Sequence, residues 1–210
     1  MAITNYTNLQ TTIADFLNRD DLTSVIPTFI QLSEAQMNRD IRHYEMEKRA
    51  TGEQSAGDAY MQVPSDWLET IRLSLTASGT SAVTMASRAA IADIRAKNEN
   101  VSTKLPYYYC HVDGQFELYP TPVEDTDFEL LYYAKIPSLS ASATTNWLLT
   151  NHPDVYLYGA LLHSAPYLAE DARVAVWAQM YSAAVQNVNT ASEKARYSGS
   201  GITLKVRGLG

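Results

Sequence analysis

The hydrophobic pattern is organised around the stretch from Thr145 to Ala195. Asn151, His152 and Pro153 mark a helix start there, with the cap on either Asn151 or His152 and the proline within the first turn. Val155, Tyr158, Leu162 and Ala165 follow at steps of three and four and predict an apolar stripe, on a helix that Pro166 bends or weakens near its end. Glu170 and Asp171 then supply acids suited to a positive helix N-terminus, and Val174, Trp177, Tyr181, Val185 and Val188 draw a second stripe. Two amphipathic helices with so short a joint predict an antiparallel hairpin whose stripes are core.

Earlier in the chain, Thr7 is placed to cap a helix through Leu17, with Leu9, Ile13, Phe16 and Leu17 on its apolar side. A second helix runs from about Leu22 or Pro27 to Tyr44, because Ile26, Ile30, Ser33, Met37, Ile41 and Tyr44 share one stripe. These helices need a cover for their apolar faces, and the C-terminal hairpin is the natural one.

Between the helical ends the period changes from 3.6 towards 2. Ala59 to Val63 reads as a short strand closed by a turn at Pro64 to Trp67, and Ile71 to Leu75 alternates as a half-buried strand does. Ser87 to Lys97 is a short helix with Ala90, Ile91 and Ile94 inward. Tyr107 to Val112 and Gln115 to Tyr119 form a hairpin about Asp113-Gly114, a pair that tolerates the positive φ angles of a tight turn. Phe116 and Leu118 are expected to face inward, with Gln115, Glu117 and Tyr119 outward. Asp127 to Lys135 supplies a further strand with Phe128, Leu130 and Tyr132 on one face, and Pro137 to Thr145 reads as a Ser/Ala/Thr-rich linker. The expected fold is α+β and mainly α, with a helical core from the N- and C-terminal helices, a central antiparallel β insertion and an extended C-terminal arm. Residues 1–45 and 146–195 form the core, 46–145 the β-rich insertion, and 196–210 a flexible arm.

Composition narrows the function more by exclusion than by indication. With 46% hydrophobic and 19% charged residues, the 210-residue chain can bury a proper core. It has no run of about 18 apolar residues, and Met1 to Tyr6 has neither a basic patch nor an apolar core, so neither a membrane span nor a secretory signal is expected. A net charge of -7 opposes broad nucleic-acid binding. One cysteine, Cys110, excludes an internal disulfide and a multi-cysteine metal site. His43, His111, His152 and His163 stand in no ligand spacing, and no dinucleotide, P-loop or hydrolase motif occurs. Cys110 and His111 are neighbours on an alternating strand and so point to opposite faces. No cofactor is expected.

Two features point to contact with other proteins. Fourteen tyrosines outnumber four phenylalanines, and runs such as Tyr107-Tyr108-Tyr109 and Tyr132-Tyr133 cannot be wholly interior on a strand. Tyr107, Tyr109, Tyr133, Trp147 and Tyr156 are therefore candidates for a subunit or tail interface. Beyond Tyr197 a Gly/Ser hinge leads to Ile202, Leu204 and Val206 alternating with Thr203, Lys205 and Arg207, a basic strand pattern suited to docking on another subunit, the bland alternative being a frayed terminus.

The run Trp147 to Leu161 (WLLTNHPDVYLYGAL), with Ala165 to Leu168 and Val176-Trp177, resembles the C-terminal part of tailed-bacteriophage head-to-tail adaptor proteins. Ile26 to Ala35 with Asn38-Arg39, and Val63 to Glu69, resemble the same family in the expected order. The resemblance implies a virion structural protein, not an enzyme, present as a ring of twelve copies in the neck after assembly in the host cytoplasm. Its partners would be the portal protein, a tail or nozzle protein, and further copies of itself, with genomic DNA passing through the lumen without sequence-specific binding and no membrane involved. It also implies that the arm, through Ile202, Leu204, Lys205, Val206 and Arg207, reaches onto the portal. A family branch degrades peptidoglycan, but no glycosidase carboxylate pair is recognisable here. The rival readings are a stand-alone module whose tyrosine-rich sheet captures a carbohydrate or peptide, and a hydrolase using His43 or His111.

Overall fold

The computed structural model describes residues 2–76, 80–97, 105–168 and 173–198. Two compact units result, one of Met1–Glu45 with Ile136–Gly210 and the other of Met46–Lys135.

The first unit is helical. Helix α1 spans Tyr6–Leu17, and its cap is Asn5, two residues ahead of Thr7, with the Asn5 side chain accepting from the Asn8 N–H at 2.9 Å. Asn5 holds the extended backbone a cap requires. Leu9, Ile13 and Leu17 are buried as expected, but Phe16 is 46% exposed. Helix α2 spans Ile26–Asp40 with Pro27 in its first turn. It stops short of Tyr44 because Ile41 is extended, with φ -103° and ψ 133°.

The C-terminal helices number three among the described residues. Asn146 caps an extra short helix, α4 at Trp147–Asn151, so the Asn151-His152 pair closes that helix and the long helix α5 begins at Pro153, running to Leu168. Helix α6 spans Val174–Tyr197 and buries Trp177, Tyr181, Val185 and Val188 as its spacing predicts. Helix α5 packs against α1, α2, α4 and α6 together. Its buried residues, Val155, Tyr156, Leu157, Gly159, Ala160 and Leu161 among them, go round the helix instead of forming the expected stripe, in which Tyr158, Leu162 and Ala165 are only half-buried. A helix enclosed on several sides has no single apolar face. At Gly159 the approach is close enough that a Cβ would lie 2.1 Å from the Ser33 Oγ of α2.

Buried polar groups fasten the stretch that reads as a loose linker. Glu34 of α2 accepts from the Leu139 N–H at 2.7 Å and from the Tyr156 hydroxyl at 3.2 Å. Asn146 donates to that hydroxyl and to the Pro137 carbonyl, both at 2.6 Å. Burial pushes the Glu34 carboxyl above its ordinary pKa and, with Glu34 adjacent, pushes the Tyr156 phenol up as well. Beyond α2, buried His43 stacks on Trp147 at 4.9 Å, and burial lowers its pKa, with His152 and Arg196 adding to that and Glu45 opposing it.

The second unit overturns the mainly α expectation. It is a seven-stranded sheet in the order β1-β7-β3-β4-β5-β6-β2, with β1 Glu47–Gln54, β2 Tyr60–Gln62, β3 Trp67–Thr76, β4 Thr80–Met85, β5 Tyr108–Val112, β6 Gln115–Tyr119 and β7 Thr126–Ala134. The edge strands β1 and β2 are consecutive in the chain, and Gln54 donates to the Asp58 carbonyl between them at 2.9 Å. Met61, Leu73, Val83, Phe116, Leu118 and Leu130 share one interior, so the sheet curls into a nearly closed barrel with its own core. Bulges in β3 between Trp67 and Glu69 and between Thr70 and Arg72 supply curvature. The sheet is not purely antiparallel, because β4 and β5 pair in parallel.

The physical reasons for the miss lie in pairings between distant elements. Strand β1 reads EKRATGEQ, polar on both faces because it is an edge, and takes its register from β7. Helix α3, Arg88–Lys97, covers the far face of β5 and β6, so Glu117 and Tyr119, expected outside, are buried. Glu117 accepts from Arg95 of α3 at 2.6 Å. The hairpin itself is as expected, with Asp113 at φ 49° and Gly114 at φ 73°.

Three variants test this packing. Gly159→Ala is expected to destabilise by about 1–3 kcal/mol, and Ser33→Ala in the same background to recover part of it, read by denaturant unfolding. Tyr156→Phe leaves Asn146 and Glu34 short of a partner and is expected to cost about 1–3 kcal/mol in the same measurement. Because folded His43 resists protonation, the unfolded chain takes up the proton first. Stability therefore declines as pH falls below about 6.5, until His43 titrates in the folded chain. His163, also lowered by burial, adds in the same direction. The raised Glu34 carboxyl works in the opposite direction, so the reading is taken as a difference between chains: any loss of melting temperature from pH 7.5 to 5.5 should be smaller in His43→Gln than in the parent.

Candidate functional site

The structure divides the candidate aromatics between interior and surface. Tyr156 is fully buried, and Tyr109 lies in the barrel core, edge-on to Phe116 at 4.9 Å. Neither offers a side chain to a partner from this subunit, because each is enclosed in the folded chain and its hydroxyl already has a partner there: buried Glu34 for Tyr156, half-buried Thr70 for Tyr109. Tyr107, just before β5, is 50% exposed, while Tyr133 and Trp147 are half-buried, the latter stacked on His43. Ile202, Leu204, Lys205, Val206 and Arg207 lie outside the described residues.

Reactive chemistry finds no assembled centre among the described residues. No group of three or more His, Cys, Asp or Glu could hold a metal ion there. Cys110 is buried, and burial followed by the nearby Glu117 carboxylate pushes its thiol pKa up, the opposite of an activated thiolate. His111 points to the other face and stacks on Trp67 at 4.9 Å. His43 is enclosed beside Trp147, and the His152 ring centroid is 6.0 Å away.

What the structure does present is surface. In the helical unit an open groove of about 560 Å³ is lined by Gln36, Asp40, Leu162, Tyr181, Gln186 and Glu193 among others, and its charged lining residues are carboxylates. The Tyr181 hydroxyl donates to Asp40 at 3.2 Å. In the barrel unit a smaller groove of about 430 Å³ has the stacked Trp67 and His111 beside Val63, Pro64, Leu68 and Lys135. Neither closes round a small molecule.

Sequence reasoning missed the exposed apolar residues at one end of the helical unit. Phe16 is 46% exposed, Tyr167 56%, Val176 52% and Met180 46%. They are held in place by neighbours: Arg173 donates to the Phe16 carbonyl at 3.0 Å and lies over the Trp177 ring, while Tyr167 meets Phe29 edge-on at 5.8 Å. A signal was available, since Val174 to Ser192 contains no Asp, Glu, Lys, Arg or His, although a surface helix normally carries charge on its solvent side. Exposed aromatic and aliphatic groups with arginine among them are the composition of protein–protein contacts.

The SU10 adaptor protein family model matches residues 4–204. No curated protein matches the chain in sequence. The family match spans both units and nearly the whole chain. Because the match covers far more than half of its length, the chain belongs to the SU10 adaptor protein family, a family of phage head-tail adaptors that are structural proteins of the virion.

Proposed function

We propose that the protein forms a ring in the virion neck between the portal and the tail, completing the DNA-filled head and leaving a conduit for the genome. The observation that carries this reading is the family match over residues 4–204. Two compact units suit such a part, because a ring subunit must offer different faces to its two neighbours and to the proteins above and below. The net charge of -7 suits a channel wall along which DNA slides without adhering.

In this scheme the basic alternating run Ile202 to Arg207 docks on the portal, with Leu204, Lys205 and Val206 as its centre, and the hinge at Ser198 to Gly201 lets it reach. Exposed Tyr107 and half-buried Tyr133 on the barrel unit, together with Trp147 on the helical unit, remain the aromatic candidates for contact with neighbours or the tail-side protein. Assembly takes place in the host cytoplasm, with twelve copies in the ring.

Native mass measurement of the purified protein, alone and mixed with portal, tests the scheme. A multimer of defined size on portal is expected, and a monomer that ignores portal would reject it. Deleting Ser198 to Gly210 should leave melting nearly unchanged and abolish portal binding, whereas undiminished binding would remove the arm from the scheme.

A further inference from the structure

Over its first nineteen residues, ahead of Glu193, Lys194 and Arg196, helix α6 has a solvent side without charge. Across the nineteen residues from Val174 to Ser192 no ionisable side chain occurs except the Tyr181 phenol, which is buried. Val176, Met180, Ala183, Asn187 and Ala191 follow one another at helical spacing, and all are exposed. At the near end this strip meets Arg173 and, through it, Phe16. Along its flank, Ser182, Gln186 and Thr190 belong at once to the exposed side and to the 560 Å³ groove between α2, α5 and α6.

We infer that this face of α6, from Val176 to Ala191, is where a second copy of the chain docks. The inference rests on the ring reading and names the surface that would build the ring. The charge pattern selects the occupant. Each copy carries a net charge of -7, so two copies repel overall, and an uncharged strip at the seam adds no like-charge contact to that repulsion. DNA is a poor occupant, since its backbone is held by Lys and Arg and the strip has neither. Size agrees as well. Nineteen helical residues make a ridge about 28 Å long. The ten exposed residues on it, with Phe16 and Tyr167, supply about half of the 20–30 residues that one side of a standard interface uses. That is adequate for a subunit held on two sides, and in a closed ring the ridge of one copy meets a different face of the next.

The test compares Val176→Glu, Met180→Glu and Ala183→Glu with Leu32→Glu, a control at an exposed apolar position on α2. Each variant is taken through native mass measurement with and without portal, after its melting temperature is recorded. The α6 variants are expected to melt like the parent and to lose multimer formation at least tenfold, while L32E assembles normally and Met180→Leu retains assembly. Ala183→Cys gives a second readout that survives a folding defect in the others. Because Cys110 is buried, maleimide labelling reports position 183, which should react in the dilute monomer and be protected in the multimer. Normal assembly of the glutamate variants, or equal labelling in both states, overturns the inference and leaves the ring reading standing. Variants that assemble normally but no longer bind portal would assign the strip to portal instead and also overturn it. If the parent chain never assembles, with portal or without, the ring reading itself fails and the inference falls with it.

Discussion

Enclosure of α5 is the constraint from which the helical unit follows. A helix packed against α1, α2, α4 and α6 can carry almost no charge, and Pro153–Leu168 has a single carboxylate, Asp154, in the first turn where the helix dipole favours it. It must also let a neighbour come close, which Gly159 does against Ser33. Among the described residues the buried Ser33 hydroxyl finds no hydrogen-bond partner, a cost accepted for the close crossing of α2 and α5. Tyr156 on the same helix then reaches Glu34 and Asn146, so the chain from Ile136 onward is fastened to α2 instead of hanging free.

The barrel unit solves a different problem with different means. Its strands bury one shared interior, its bulges bend β3, and α3 covers part of the outside, where Glu117 is buried but matched by Arg95. Ion pairs on the open faces, such as Glu129 with Arg49 and Arg72, are largely solvent-exposed and add little stability. Packing and strand pairing carry the unit, and its polar surface is available for other duties.

Those duties fit a structural adaptor, the role of the family to which the chain belongs. Grooves that stay open, histidines locked in aromatic stacks and a cysteine thiol made less acidic by burial offer no reacting centre among the described residues. Exposed Phe16, Tyr167, Val176 and Met180 are instead groups that gain by being covered. In a structural adaptor the chemistry is the burial of such surface.

Local chemistry was legible wherever a residue's role depends on its near neighbours. The Asp113-Gly114 turn, the buried series from Trp177 to Val188 on α6, and the opposite faces of Cys110 and His111 all follow from period and turn propensity alone. Family membership was also legible, because the strings Val63 to Glu69 and Trp147 to Leu161 resemble the family whose model matches residues 4–204. What depended on distant residues was not legible. Strand β1 has no apolar period of its own and exists because β7 offers it a ladder, and Glu117 is interior only because α3 lies over it. Tyr109 and Tyr156, plausible as surface aromatics by composition, are core because Thr70 and Glu34 lie within reach of their hydroxyls in the folded chain. Sequence by itself determined the periods, the turns and the kinship. Tertiary structure decided which faces are covered, since burial belongs to pairs of elements and no single stretch contains both members.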